Sequence, residues 1–238
     1  MKFSLARGAL ALSAIMTLAS CGGGGDKATF PINVNVTGVQ YPGLVFTTND
    51  QDVAVTPPSD PTKAVDVVFP KEIEYGQLYS VVPKGALYNT ATGTFYGGST
   101  PKHQNCGVSQ TYPQNLPTSG TAGQFAKIQM YFVCYINTYQ LTAKVTGLKA
   151  KNLVLANGST SQPVPVAAAT DTAGAFTGAD VTVPLNPVAY NTTYGVTVLT
   201  QPDGQTCTIA NGVGIMDDAA EAAGGVSNLV VTCVDNPK

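Results

Sequence analysis

The 238-residue sequence predicts an all-β protein: two tandem small antiparallel sandwiches, each with one disulfide, behind a cleaved leader. Three observations predict it. Apolar and polar residues alternate with a period of two over many short runs, the mark of strands buried on one face. Gly, Asn, Asp and Pro punctuate the gaps, as in Asn157-Gly158, Pro202-Asp203-Gly204 and Asn211-Gly212, where tight turns need them. Short signatures also recur roughly one hundred residues apart, which marks two copies of one unit. Val36-Thr37-Gly38-Val39 returns as Val145-Thr146-Gly147-Leu148, Tyr79-Ser80-Val81-Val82 as Tyr194-Gly195-Val196-Thr197, and Phe132-Val133-Cys134 as Val231-Thr232-Cys233.

Taken in chain order, residues 1–20 come first. Met1 to Arg7 carries Lys2 and Arg7 and leads into the apolar run Gly8 to Leu18, shorter than the ~20 residues a membrane-spanning helix needs. That is a secretory signal peptide. Leu18-Ala19-Ser20-Cys21 closes it and resembles the lipobox of bacterial lipoproteins. The resemblance implies cleavage before Cys21, a diacylglycerol on its thiol and an acyl chain on the new amine. Each buried methylene contributes ~0.8 kcal/mol, so two or more chains hold a protein firmly to a membrane. Gly22, where such proteins carry Asp for retention at the inner membrane, implies the outer membrane. Residues 21–29 therefore read as a lipidated cysteine and a tether, with Gly22 to Gly25 as flexible chain.

Residues 30–137 form the first predicted unit. Ile32, Val34 and Val36 alternate with Asn33, Asn35 and Thr37. Further strands are predicted over Leu44 to Thr47, Val65 to Phe69, Leu78 to Val82 and Lys127 to Ile136. Residues 138–238 form the second. Leu141, Ala143 and Val145 alternate with Thr142, Lys144 and Thr146, and strands follow over Leu153 to Ala156, Val181 to Pro184, Tyr194 to Thr200 and Val226 to Val234. Helix signals are nearly absent: Asp217 to Ala223 suffices for a turn or two, ended by Gly224-Gly225. The short link Ile136-Asn137-Thr138-Tyr139 predicts a stiff pair. Strands at this spacing argue immunoglobulin-like sandwiches in the architectural sense, although the chain has no Trp to complete the antibody signature.

Lipidation of Cys21 leaves four cysteines. Cys106 and Cys134 are 28 apart, Cys207 and Cys233 are 26 apart. Outside the reducing cytoplasm these read as two disulfides, one per unit. A metal site is the weaker alternative, because there is no C-x-x-C and a single histidine, His103. With 11% charged residues and a net charge of -2, the chain offers no basic field for nucleic acid.

The stretch from Tyr194 to Ile209, with Gln201-Pro202-Asp203-Gly204-Gln205 at its centre, and the ending Val230-Val231-Thr232-Cys233 resemble a repeat found in tandem in proteobacterial envelope lipoproteins. The second unit matches over nearly its whole length. The first departs from it, with a longer gap between Tyr79 and Cys106 and no Gln-Pro-x-Gly-Gln. The resemblance implies an extracytoplasmic β-rich module and no chemistry.

Catalysis needs convergent titratable groups, and none is expected here; no cofactor or metal is expected either. His103 reads as a solvated loop residue. Glu72 with Glu74, and Asp217 with Asp218, read as solvated surface, without the spacing of a calcium loop. One segment stands out. Tyr88, Phe95 and Tyr96, with Tyr112 shortly after, sit among small polar residues in the extra length of the first unit. Such rings build binding surfaces at little entropic cost, or they pack as a satellite core that pins the loop; both readings stay open. The expected function is a membrane-anchored, non-catalytic binding or stalk module, or else an accessory subunit of a larger outer-membrane assembly. Its expected partners are the membrane, through Cys21, and an envelope protein or glycan.

Overall fold

The computed structural model describes residues 27–111, 117–158 and 161–237. Cys21, the leader and Tyr112 lie outside the described residues. The fold is all-β and sandwich-like, with one short helix, Asp218–Ala222, among the described residues. Asp217 caps that helix, its side chain accepting from the Ala220 amide at 2.9 Å, a role aspartate fills well. No helix of the described residues is long and apolar enough to cross a membrane.

Two buried apolar clusters organise the chain. The first gathers residues between Ile32 and Cys134, with Phe46, Phe132 and Met130 at its centre; the second gathers residues between Leu141 and Cys233, with Leu148, Leu155 and Met216. Over the first, the strands lie in the order Val65–Val68, Ile32–Thr37, Ile128–Ile136, Gln104–Val108, Thr94–Tyr96 and Leu87–Asn89. Over the second, the order is Val181–Ala189, Thr138–Thr146, Gly225–Asp235 and Gln205–Ala210. The four shared places correspond, and the Thr94–Tyr96 and Leu87–Asn89 hairpin extends the first sheet. The opposing layers are Gln51–Ala54, Val45–Thr48 and Val82–Pro83 in the first half, and Val164–Pro165, Val154–Asn157, Thr193–Thr200 and Val213–Ile215 in the second.

One feature differs from the sequence expectation, and the two expected disulfides form. The larger sheet of the first half and its counterpart in the second are mixed rather than antiparallel: Ile32–Thr37 runs parallel to Ile128–Ile136, and Thr138–Thr146 parallel to Gly225–Asp235, while the opposing layers are antiparallel. Parallel neighbours require a long crossover. Here the rest of each half is that crossover, so its first and last strands meet at the centre of one sheet. The disulfides, Cys106–Cys134 and Cys207–Cys233, join neighbouring strands of a single sheet in direct register. An antibody-type disulfide would bridge two sheets.

The recurring Val-Thr-Gly stretches have a structural cause. Gly38 and Gly147 each follow the central strand with φ 73°. A Cβ at Gly38 would stand 2.4 Å from the carbonyl oxygen of Cys134, and one at Gly147 2.5 Å from that of Cys233. Only glycine fits there. Beside them, Gln104 donates to Gly38 O at 2.7 Å and accepts from the amides of Gln40 and Tyr41. Gln205 repeats this, donating to Gly147 O at 3.0 Å and accepting from Lys149 N. Both glutamines are buried, so each satisfies backbone groups that a strand ladder leaves open.

Candidate functional site

Strand Ile128–Ile136 ends and strand Thr138–Thr146 begins with Asn137 alone between them. Around this residue polar and aromatic side chains from both halves converge. The Asn137 amide donates to His103 O and its carbonyl accepts from Tyr190 N, both at 2.9 Å. The ring of His103 lies flat on that of Tyr190, with centroids 3.6 Å apart and planes within 4°. Tyr41 meets both rings edge-on.

His103 is 7% exposed, which corrects the expectation of a solvated loop residue. The cause lies in the other half of the chain. Helix Asp218–Ala222 brings Glu221 to 2.5 Å from His103 Nδ1, and a carboxylate can only accept, so the ring N–H donates. Nε2 faces Asp218 Oδ1 at 3.4 Å. Asp218 also takes the Lys102 ammonium at 3.1 Å and the Tyr190 hydroxyl at 3.0 Å. The other Glu221 oxygen accepts from the Tyr139 hydroxyl. Asp217 and Asp218 are both exposed, as expected of solvated surface, and from there serve as a helix cap and an ion-pair partner.

The electrostatics follow these contacts. Burial, and then the bond to Glu221, pushes the Tyr139 phenol up to about 12. Burial, and then Asp218, does the same to Tyr190, also to about 12. The Lys102 ammonium, followed by the Tyr190 hydroxyl, holds the Asp218 carboxyl below its ordinary value. His103, Asp218 and Glu221 place one ligand atom each within 4.8 Å of one another. That spacing admits a metal, but Lys102 already sits on Asp218 and opposes a second cation. The arrangement clamps two parts of a chain together through His103, Glu221, Asp218, Tyr139 and Tyr190.

The backbone at His103 is left-handed, φ 64°, uncommon for a residue other than glycine. It closes the turn Pro101-Lys102-His103-Gln104, with Gln104 N bonded to Pro101 O. In the second half, Pro202-Asp203-Gly204-Gln205 makes the same turn, with Gly204 at φ 68° and Gln205 N bonded to Pro202 O. The first half keeps the turn and replaces its glycine with the histidine that reaches across. Sequence comparison of the two turns holds this signal; the partners Glu221 and Tyr190 are too distant in sequence to be found by spacing.

The predicted aromatic segment divides. Phe95 is buried, 5.0 Å from Tyr88 and 6.2 Å from Phe132, so it anchors the hairpin to the core. Tyr88 and Tyr96 are 49% and 47% exposed. Glu72 accepts from Thr29 Oγ1, and Glu74 pairs with Lys27 at 3.4 Å; both carboxylates are structural contacts at the start of the described chain.

No protein-family model matches the sequence, and no curated protein matches it. Among solved structures, it is similar to the T-13 and T3.2 major pilins of Streptococcus pyogenes. They share 14% and 13% identity, at TM-scores of 0.26 and 0.28 over 87% of this chain and 97% and 98% of theirs. A mutant of a major pilin from the same organism scores 0.22 at 11% identity, over 87% of this chain and 98% of its own. Likeness at this level carries no functional weight, so the function is argued from the site.

Proposed function

We propose that this chain is an envelope lipoprotein, acylated at Cys21, whose two tandem immunoglobulin-like repeats, residues 30–137 and 138–238, act as a stiff non-catalytic stalk. The outer membrane is the proposed location. The observation that carries the reading is the joint at Asn137. A single linking residue, a buried histidine stacked on Tyr190 and a carboxylate shared between His103 and Tyr139 resist bending in a way that two loosely strung modules do not. A spacer with a fixed angle is what such a joint supplies. The lone histidine is spent on this contact, which supports a role other than catalysis. The half-exposed Tyr88 and Tyr96, on a hairpin pinned by Phe95, are the proposed recognition surface for an envelope protein or glycan.

Extraction of the native protein in mild detergent, followed by sizing, tests the reading. A monomer with an acylated amino terminus is expected. A large co-migrating complex replaces the stalk with an accessory subunit of an assembly. Tyr88→Ala with Tyr96→Ala tests the hairpin: intact stability with lost capture of the partner is expected, and lost stability with unchanged capture removes the recognition role.

A further inference from the structure

We propose that the lobe formed by residues 27–30, 71–80 and 117–127 is a membrane-docking face, seated on the same bilayer that holds the lipid on Cys21. The proposal rests on the lipoprotein reading above and adds an orientation and a contact surface to it. The described chain starts inside this lobe: Thr29 and Phe30 pair with Glu74 and Ile73, and Ala28 O accepts from Tyr75 N at 2.7 Å. From Cys21 to Ala28 even a fully stretched chain reaches at most about 25 Å. An anchored Cys21 thus confines this part of the molecule, and no other end of it, to the lipid surface.

The lobe carries what an interface contact needs. Tyr75 is 62% exposed, Leu78 72% and Phe125 49%. The three belong to one structure: Gly76 and Gln77 bond to Ala122, Leu78 pairs with Thr121, and the ring of Tyr75 covers Gly123. Phe125 and Lys127 flank the buried Tyr79. Aromatic rings favour the headgroup level, where one edge is apolar and the other wet. Lys71 and Lys127 are exposed beside them, while Lys27 is paired with Glu74, so cations are at hand for lipid phosphates.

The topology fixes the rest of the body. Ile128 lies at the lobe, next to Ile32, and Ile136 lies at the Asn137 joint. At ~3.3 Å per residue this one strand carries the chain about 26 Å from the docking face to the joint. The second half begins there and stands away from the membrane.

The sequence contains no Trp, so Leu78→Trp and Phe125→Trp each create a single emitter on the lobe. Leu199→Trp, at a site 58% exposed in the second half, is the control. Each variant is prepared as the full lipidated chain in phosphatidylethanolamine–phosphatidylglycerol vesicles, with and without bromine near the headgroups. Interfacial residues sit ~5–10 Å deep, so emission from positions 78 and 125 is expected to shift to the blue and fall about twofold with brominated lipid. Emission from position 199 is expected to stay unchanged. Equal emission from all three in both vesicles, on a sample whose acyl chains are verified by mass, overturns the docking face and leaves the lipoprotein intact. A mass without acyl chains overturns both.

Discussion

At His103 a side chain is held where its counterpart is glycine. The left-handed backbone costs a non-glycine residue ~1–2 kcal/mol, and the stack on Tyr190 and the bond to Glu221 offset it. Glu221→Ala removes the acceptor of both His103 and Tyr139, and leaving buried donors unpaired costs ~1–3 kcal/mol. A lower melting temperature is expected, with the two halves no longer melting together in calorimetry. The pH dependence follows from the phenols. Tyr139 and Tyr190 rise from 10 to about 12 on folding, so the folded state favours their neutral forms. Their contribution is complete below pH 10 and is lost as pH climbs toward about 12. A melting temperature that falls across this interval in the parent chain, but less in Tyr139→Phe, is the expected observation. Little of this was legible in the sequence. A histidine flanked by Pro, Lys and Gln reads as surface, because what buries it lies 118 residues away.

The elements were more legible. Alternation located Ile32–Thr37, Val65–Val68, Ile128–Ile136 and Thr193–Thr200 to within a residue or so, since each has one face on a core. Gln104–Val108 and Gln205–Ala210 escaped prediction as strands: a buried glutamine and a cysteine stand where alternation looks for apolar residues. Parallel pairing of first and last strands leaves no local trace either, because it is set by which edges the crossover leaves free. The Val-Thr-Gly repeat was legible, and the cause is the contact of Gly147 with Cys233. Gly147→Ala forces both a left-handed alanine and a clash with backbone, and a loss above ~2 kcal/mol is expected by chemical denaturation. Cys207→Ser with Cys233→Ser opens the second disulfide, and the chain-entropy model gives a loss of roughly 3–4 kcal/mol. The same denaturation series checks it, and the first half is expected to keep its own midpoint once the joint is also broken by Glu221→Ala.

At the scale of the whole molecule, the two halves share the order of their four main strands and the pairing of their cysteines. Their differences carry the proposed functions: a histidine for a glycine at the joint, an added hairpin bearing Tyr88 and Tyr96, and a lobe with exposed rings at the start of the described chain. Under the proposed reading these give the body a membrane end, a braced middle and a far end. The account depends on what is attached to the first mature residue. Mass spectrometry of the amino-terminal peptide, from protein purified out of native membranes, is the most direct test. A peptide beginning at Cys21 with diacylglycerol and a further acyl chain is predicted; an unmodified Cys21, or a chain released to the medium without lipid, contradicts the account.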